Sequence, residues 1–294
     1  MRIGKKRDGW RVFDFILGAF MLLVSFISIY PIYYIFINSL SGAAAVSAGK
    51  VVFYPIDLNF LGYKNIFEDK NIISAFFNST FYTVAGTLIN VALSAMCAYP
   101  LSRRDFYGRK TITSIILFTM FFSGGIIPLF LTISSLNLYN TIWAVMLPSA
   151  ISVYNVIVMR TFFQSIPYEL TESAYIDGAN DLFIFFKIIL PLSAPILATM
   201  TLFYGVGNWN AFYNALMFLA DKGKYPLPLI LRNIVLEGAT AGLQMASEAS
   251  SNLKVDPRSV KYAVIAVTTL PIILVYPFVF KYFEKGVMIG SVKG

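Results

Sequence analysis

Four carboxylates crowd one short polar stretch of an otherwise apolar chain. Residues 167–191 read PYELTESAYIDGANDLFIFFKIILP and hold Glu169, Glu172, Asp177 and Asp181. Carboxylates grouped in this way accept charge-assisted hydrogen bonds from Lys or Arg, and those bonds are about twice as strong as neutral ones. Catalysis by these groups finds no support elsewhere in the chain. There is no histidine, which excludes a histidine-based triad or zinc site. The single cysteine, Cys97, leaves no disulfide within the chain and little scope for redox chemistry. No G-x-x-x-x-G-K-[ST] occurs, and GlyValGlyAsn at 205–208 has neither the following lysine nor the strand context of a nucleotide loop. What remains is recognition, with an acidic face offered to a basic partner. A solvated loop that merely joins its neighbours is the plainer reading of the same residues.

The local sequence predicts how that face is held. Pro167 suits a first helical turn, where its missing N–H costs nothing. Glu169 and Glu172 fall near the positive end of the helix dipole. Leu170, Ala174 and Asp177 are expected on one face, with Glu169, Glu172 and Ile176 on an adjoining one. Gly178 can take the left-handed conformation that ends a helix, and Asn180 or Asp181 can cap the next. The expected product is a helical hairpin.

The flanking sequence says where that hairpin sits. The chain of 294 residues is 57% hydrophobic and only 13% charged, against about 25% charged in soluble domains. Runs without Asp, Glu, Lys or Arg cover 15–49, 71–102, 111–159, 188–220 and 262–280. A span needs about 20 apolar residues. The third run is about twice that and is interrupted by SerSerLeuAsnLeuTyrAsnThr at 134–141, so it divides into two. The expectation is an all-α integral membrane protein of one domain over 1–294, with six transmembrane helices near 12–38, 77–101, 111–133, 142–163, 190–217 and 262–281. The polar loop 164–190 lies between helices 4 and 5, and a long loop covers 218–260.

Basic residues set the sidedness. Arg2, Lys5, Lys6, Arg7 and Arg11 at the start, Arg103, Arg104, Arg109 and Lys110 after the second span, and Lys281, Lys285 and Lys293 at the end share one side. That side is the cytoplasm, so both termini and the acidic hairpin are expected there. The net charge of +8 is this bias and calls for no nucleic acid. The first apolar stretch is too long for a signal-peptide core and reads as an uncleaved span. Asp, Glu, Lys and Arg, which ion-driven carriers commonly use inside their spans, are absent there apart from Asp14, Arg160 and Lys281 at the edges.

With Glu172-Ser173-Ala174, Gly178 six residues after that glutamate, and Ile188, Leu190 and Pro191, the hairpin resembles the EAA loop of bacterial ABC importer permeases. Tyr175-Ile176-Asp177-Gly178-Ala179 and the later Leu-Pro-Leu are similar to the carbohydrate-uptake, maltose-permease-like branch. Ser173 stands where that motif usually has alanine. The resemblance covers essentially the whole chain and implies a type I importer permease in the bacterial inner membrane. It implies that Glu169, Glu172, Ser173, Ala174, Asp177 and Gly178 form a coupling helix seated in a cleft of an ATPase subunit. The implied partners are two cytoplasmic ATPases, which carry the ATP and Mg, so this chain holds no cofactor or metal. A second permease, a different homologous chain in the maltose type, and an extracytoplasmic substrate-binding protein complete the set. Such an assembly moves its solute by alternating access, a population shift driven by differential binding.

The resemblance also implies that the outer loop near 225–251 meets the binding protein and that the tail at 288–294 reaches toward the ATPases. The overall pattern is similar to permeases of complex and uronate oligosaccharides such as alginate or pectin fragments. In the fifth span Asn208, Trp209, Asn210, Tyr213 and Asn214 combine aromatic faces with amides, a mixture that suits sugar. Hydrogen bonding between helices explains the same residues equally well; Asn210 and Asn214, at four-residue spacing, are the better pair for a path. The rival to an ATP-driven permease is a facilitator or secondary carrier, which leaves the acidic hairpin without a purpose. Gly178→Asp is expected to leave membrane insertion intact while separating ATP hydrolysis from uptake, measured together in the same vesicles; normal uptake by this variant would count against the coupling assignment.

Overall fold

The computed structural model describes residues 8–244, 261–274 and 277, and among them every regular element is helical. The chain divides into two compact units, 1–68 with 234–267 and 69–233 with 268–294.

In the first unit α1 (Asp8–Ser39) has 32 residues. Its stretch Phe13–Ser39 has a mean hydropathy of 2.3, and large side chains such as Phe15, Phe20, Leu22 and Phe26 are all exposed. A helix apolar on every side has lipid as its natural solvent. At about 1.5 Å per residue it exceeds the roughly 30 Å hydrocarbon layer. The following segment, with α2 (Ala43–Ser47) and α3 (Leu61–Glu68), folds back on the end of α1. The Tyr30 hydroxyl donates to the Val52 carbonyl at 3.1 Å, and Ser39 Oγ and Tyr63 Oη lie 2.7 Å apart.

The second unit is built on α4 (Lys70–Ser102), a 33-residue helix N-capped by Asp69, whose carboxylate accepts from Asn71 N. α5 (Arg109–Phe121) and α6 (Ile126–Ser135) follow, then α7 (Ile142–Met146) and α8 (Val153–Ser165). The polar hairpin is α9 (Glu169–Ile176) and α10 (Asp181–Ile184). A π-helical segment, Phe185–Ile189, leads through α11 (Leu190–Leu192) to α12 (Ala194–Asn210) and α13 (Tyr213–Phe218). α14 (Leu227–Gln244) and α15 (Lys261–Leu274) complete the described helices.

Small residues line the buried side of α4, including Ala75, Ser79, Gly86, Ser94, Ala95 and Ala98. They allow α8 and α12 to approach closely, the device by which helices associate in lipid. Ala98, Leu101, Val156, Met159 and Met200 form the dry centre. Between them runs a ladder of polar side chains. Asn90 Nδ2 donates to Ser149 O at 2.6 Å, Ser94 Oγ and Tyr204 Oη are 2.6 Å apart, and Tyr204 Oη also accepts from Ser152 N at 3.0 Å.

The expected spans 12–38 and 77–101 fall within single helices. Three others are broken. α5 and α6 are bent by 114° at a break before Gly125, the α7 region meets α8 at 52°, and the segment Asp181–Leu192 meets α12 at 80°. Gly125 has φ 85°, a region that β-carbon sterics close to most residues. Among the described residues two helices are long and apolar enough to cross a membrane, or five if each bent pair counts as one span. The expected sixth, 262–281, extends beyond the described residues, as do the tail at 288–294 and residues 245–260 of the long loop.

Helix contact at Gly86 is tight enough to test. A β-carbon there would stand 3.0 Å from Asn208 Nδ2. Gly86→Leu is expected to cost about 1–3 kcal/mol through overpacking, seen as a lower thermal midpoint in detergent. Gly18→Leu on α1, where an added β-carbon meets nothing within 4 Å, should leave the midpoint unchanged.

Candidate functional site

The hairpin is closed by short-range bonds that its sequence dictates. Thr171 N and Glu172 N donate to the Tyr168 carbonyl at 2.9 and 3.0 Å, starting α9. Glu169 and Glu172 lie in the first turn, where the exposed amide ends favour negative charge. At the other end Ala179 N donates to Ala174 O at 2.9 Å and Gly178 N to Tyr175 O at 3.0 Å. This crossed pair is the Schellman stop, which needs a left-handed residue at its centre. Gly178 supplies it with φ 81°. Asn180 Oδ1 then accepts from Phe183 N at 2.8 Å and caps α10, so the cap falls to Asn180 and not to Asp181.

Burial divides α9 into two faces. Thr171 (6% exposed) and Ala174 (8%) point inward, and Ala174 joins the core formed by Ala98, Leu101, Phe163 and Ile184. Glu169, Glu172, Ser173, Asp177 and Gly178 are exposed. The inward face is therefore Thr171 with Ala174; Leu170 and Asp177, expected to share the side of Ala174, are turned out. Ser173 Oγ is occupied by the Glu169 carbonyl at 2.8 Å, so its hydroxyl is folded onto its own helix. A cleft of about 690 Å³ opens beside this start of the hairpin, lined by Arg104, Arg109, Gln164, Pro167, Tyr168 and Glu169 among others.

Arg103, which the sequence offers only as one of several basic loop residues, is central to this region. Its Nε and Nη2 donate to the two carboxylate oxygens of Asp105 at 3.0 and 2.8 Å. Nη1 reaches Tyr99 Oη at 3.1 Å and Asp181 Oδ1 at 3.4 Å. The guanidinium carbon also lies 5.2 Å from the centre of the Tyr175 ring, within cation–π range. Tyr175 Oη in turn donates to Asp181. The bond from Arg103 holds the Asp105 carboxyl below the usual carboxylate range, and the bond to Asp105 is the first reason the guanidinium is held more firmly charged than usual. Burial, then the bond to Asp181, pushes the Tyr175 hydroxyl up to about 12. At neutral pH the Arg103 guanidinium thus faces an Asp105 carboxylate, and the Tyr175 phenol keeps its proton.

The residues expected to line a solute path have different fates. Asn208 Nδ2 donates to Thr87 Oγ1 at 3.2 Å and Asn90 Oδ1 at 3.3 Å. Trp209 is buried, with Nε1 donating to Thr268 O at 3.1 Å and its ring edge-on to Phe76. Asn214 Nδ2 reaches Val145 O at 3.2 Å and Ser149 Oγ at 3.1 Å. These three tie helices together. Asn210 and Tyr213 are exposed, and among the described residues Asn210 donates only to Val206 O of its own helix, at 2.8 Å.

Known proteins are similar to this chain over nearly its whole length. Residues 72–289 match the family described as the binding-protein-dependent transport system inner membrane component. The polygalacturonan/rhamnogalacturonan transport system permease protein YtcP of Bacillus subtilis is 43% identical over 97% of this chain and 99% of its own. The diacetylchitobiose uptake system permease protein NgcG of Streptomyces coelicolor is 32% identical, covering 90% of this chain and 84% of its own. Among solved structures, a chain of a bacterial ABC transporter involved in the import of the acidic polysaccharide alginate superposes with a TM-score of 0.84 at 33% identity, over 95% of this chain and 99% of that one. With a hairpin of this build set between apolar helices and these relatives end to end, the chain belongs to the binding-protein-dependent transport inner membrane component family: it is a permease subunit of an ABC importer, a transport component and not an enzyme.

Proposed function

We propose that this permease imports oligosaccharides, uronate-containing ones among them, through six spans with both termini in the cytoplasm. The polygalacturonan and alginate importers among its relatives support the acidic substrate class. In this reading the loop 164–190 is the coupling element. Glu169, Glu172, Ser173, Ala174, Asp177 and Gly178 form the part that docks on an ATPase subunit, and the loop 218–260 meets the substrate-binding protein. Two ATPases hold the ATP and Mg, and a second, different permease encloses the path. Asn210 and Tyr213 are the better candidates to face solute, while Asn208, Trp209 and Asn214 hold the wall that carries them.

The observation that carries the coupling role is the division of α9. Its small inward residues are locked into the core, while its carboxylates stand exposed on a turn fixed by its own backbone bonds. A rigid element of this kind can receive a push on one side and deliver it on the other. The carboxylates offer strong bonds to Lys or Arg of a partner cleft.

A cysteine placed at Ser173, with Cys97 replaced by alanine, should cross-link to the ATPase subunit in the assembled importer and resist membrane-impermeant thiol reagents added outside intact cells. In proteoliposomes with the binding protein, oligogalacturonides should stimulate ATP hydrolysis more than neutral oligosaccharides of equal length. Uptake that proceeds without ATP would return the chain to the facilitator class.

A further inference from the structure

Besides the packing of Ala174 among the α4 residues, the hairpin and the end of α4 share one polar junction, the Arg103 side chain. Arg103 follows the last residue of α4, and its N–H closes that helix on the Pro100 carbonyl. Asp105 engages two guanidinium nitrogens in parallel, leaving the third nitrogen for Tyr99 and Asp181 and the flat face for Tyr175. Tyr175 is on α9 and Asp181 opens α10, so both arms of the hairpin press on the same cation. We propose that Arg103 is a strut that carries displacement of the hairpin into α4, a positioning residue for coupling; this rests on the reading of the hairpin as the ATPase-docking element.

The alternative route along the backbone is softer. From α10 the chain passes through the π-helical segment Phe185–Ile189, then turns 80° into α12. The Ser193 hydroxyl at that turn is buried and makes no hydrogen bond among the described residues. π-Helical hydrogen bonding is rare and short-lived along a chain, and helix bends concentrate at such places. α4, by contrast, is continuous over 33 residues, is pinned to α12 by its polar ladder and accepts at its Leu101 carbonyl from Arg160 Nε of α8 at 3.0 Å. A push delivered at the end of α4 therefore reaches the core of the second unit with little lost on the way.

The chemistry requires arginine. A lysine ammonium is a point charge and cannot fork onto Asp105 while presenting a planar face to Tyr175. Side-chain exposure of 10% keeps the Arg103 head largely away from water, where its contacts are weakened least by screening. Arg109 braces the same turn, with Nη1 donating to the Arg103 carbonyl at 3.1 Å. Arg104 and Lys110 are exposed, and their side chains make no hydrogen bond or ion pair among the described residues.

The test uses the complete importer in proteoliposomes, with labelled oligogalacturonide uptake and ATP hydrolysis measured in the same vesicles. R103M and R103K should each lower sugar taken up per ATP hydrolysed by about fivefold or more, the lower range of ordinary coupling between sites, while the ATPase subunits still co-purify. Y175F and D181N leave Arg103 on Asp105 and so preserve the turn even if R103M does not assemble. Each should lower the ratio less, and adding D181N to R103K should lower it no further. A wild-type ratio in assembled R103K or R103M overturns the strut, as does full additivity of R103K with D181N. Loss of the ATPase from Y175F or D181N overturns it as well, because the cluster would then serve docking. Cross-linking at residue 173 separates the two levels. If it holds while Arg103 variants are neutral, only the strut fails; if it is absent in the otherwise unaltered complex, the docking reading fails.

Discussion

Water is missing from the hydrocarbon layer, and every polar group placed there has to be satisfied by the chain itself. For the backbone this leaves helices or closed β-barrels, and the described residues take the helical solution. For side chains it turns each buried amide or hydroxyl into an obligation between helices. Asn90, Asn208 and Asn214 discharge theirs on Ser149, Thr87 and Val145, and Ser94 pairs with Tyr204. A helix that accumulates such obligations loses the freedom to slide. α4 bears many of them, together with the small residues that bring α8 and α12 close, and so becomes the stiff member of the second unit.

The hairpin obeys the opposite condition, since its charges are exposed and its stability has to come from local bonds. A Schellman stop at Gly178 and a cap at Asn180 fix the turn within a few residues. Ala174 supplies the tertiary anchor by fitting among Ala98, Leu101 and Phe163. A larger side chain at 174 would lift the whole element off the helix ends. The carboxylates of Glu169 and Glu172 have no such constraint and stand exposed, as the proposed docking on an ATPase requires.

Features determined by neighbours in sequence were legible, and those determined by distant partners were not. The hairpin turn could be read because Gly178 and Asn180 act within five residues. Two spans could be read because α1 and α4 are apolar over uninterrupted stretches. The 114° break between α5 and α6 escaped a reading by hydropathy, which averages over a window and has no sense of direction. Gly124-Gly125 was the available sign. Choosing between sugar path and helix packing for Asn208 required its partner Thr87, 121 residues away in sequence. Arg103 could not be separated from Arg104 by composition; only the folded turn shows which of the two is nearly buried.

The break between α12 and α13 follows from the same accounting. α12 ends at Asn210 and α13 begins at Tyr213; Ala211 N closes the first on Asn208 O at 3.2 Å, the Phe212 carbonyl opens the second by accepting from Leu216 N at 2.8 Å, and the amide of Phe212 is left outside both helices. Irregular backbone at membrane depth is tolerated where it is buried in protein or lines a wet cavity. Asn208, Trp209 and Asn214 on either side are already committed to Thr87, Thr268 and Val145. The amide oxygen of Asn210 and the hydroxyl of Tyr213 have no such commitment among the described residues. Their satisfaction falls to whatever lies against this break in the assembled importer, a helix of the second permease or a solute rich in hydroxyl groups. A sugar meets both needs at once, because its hydroxyls answer the amide and its C–H faces cover the tyrosine ring.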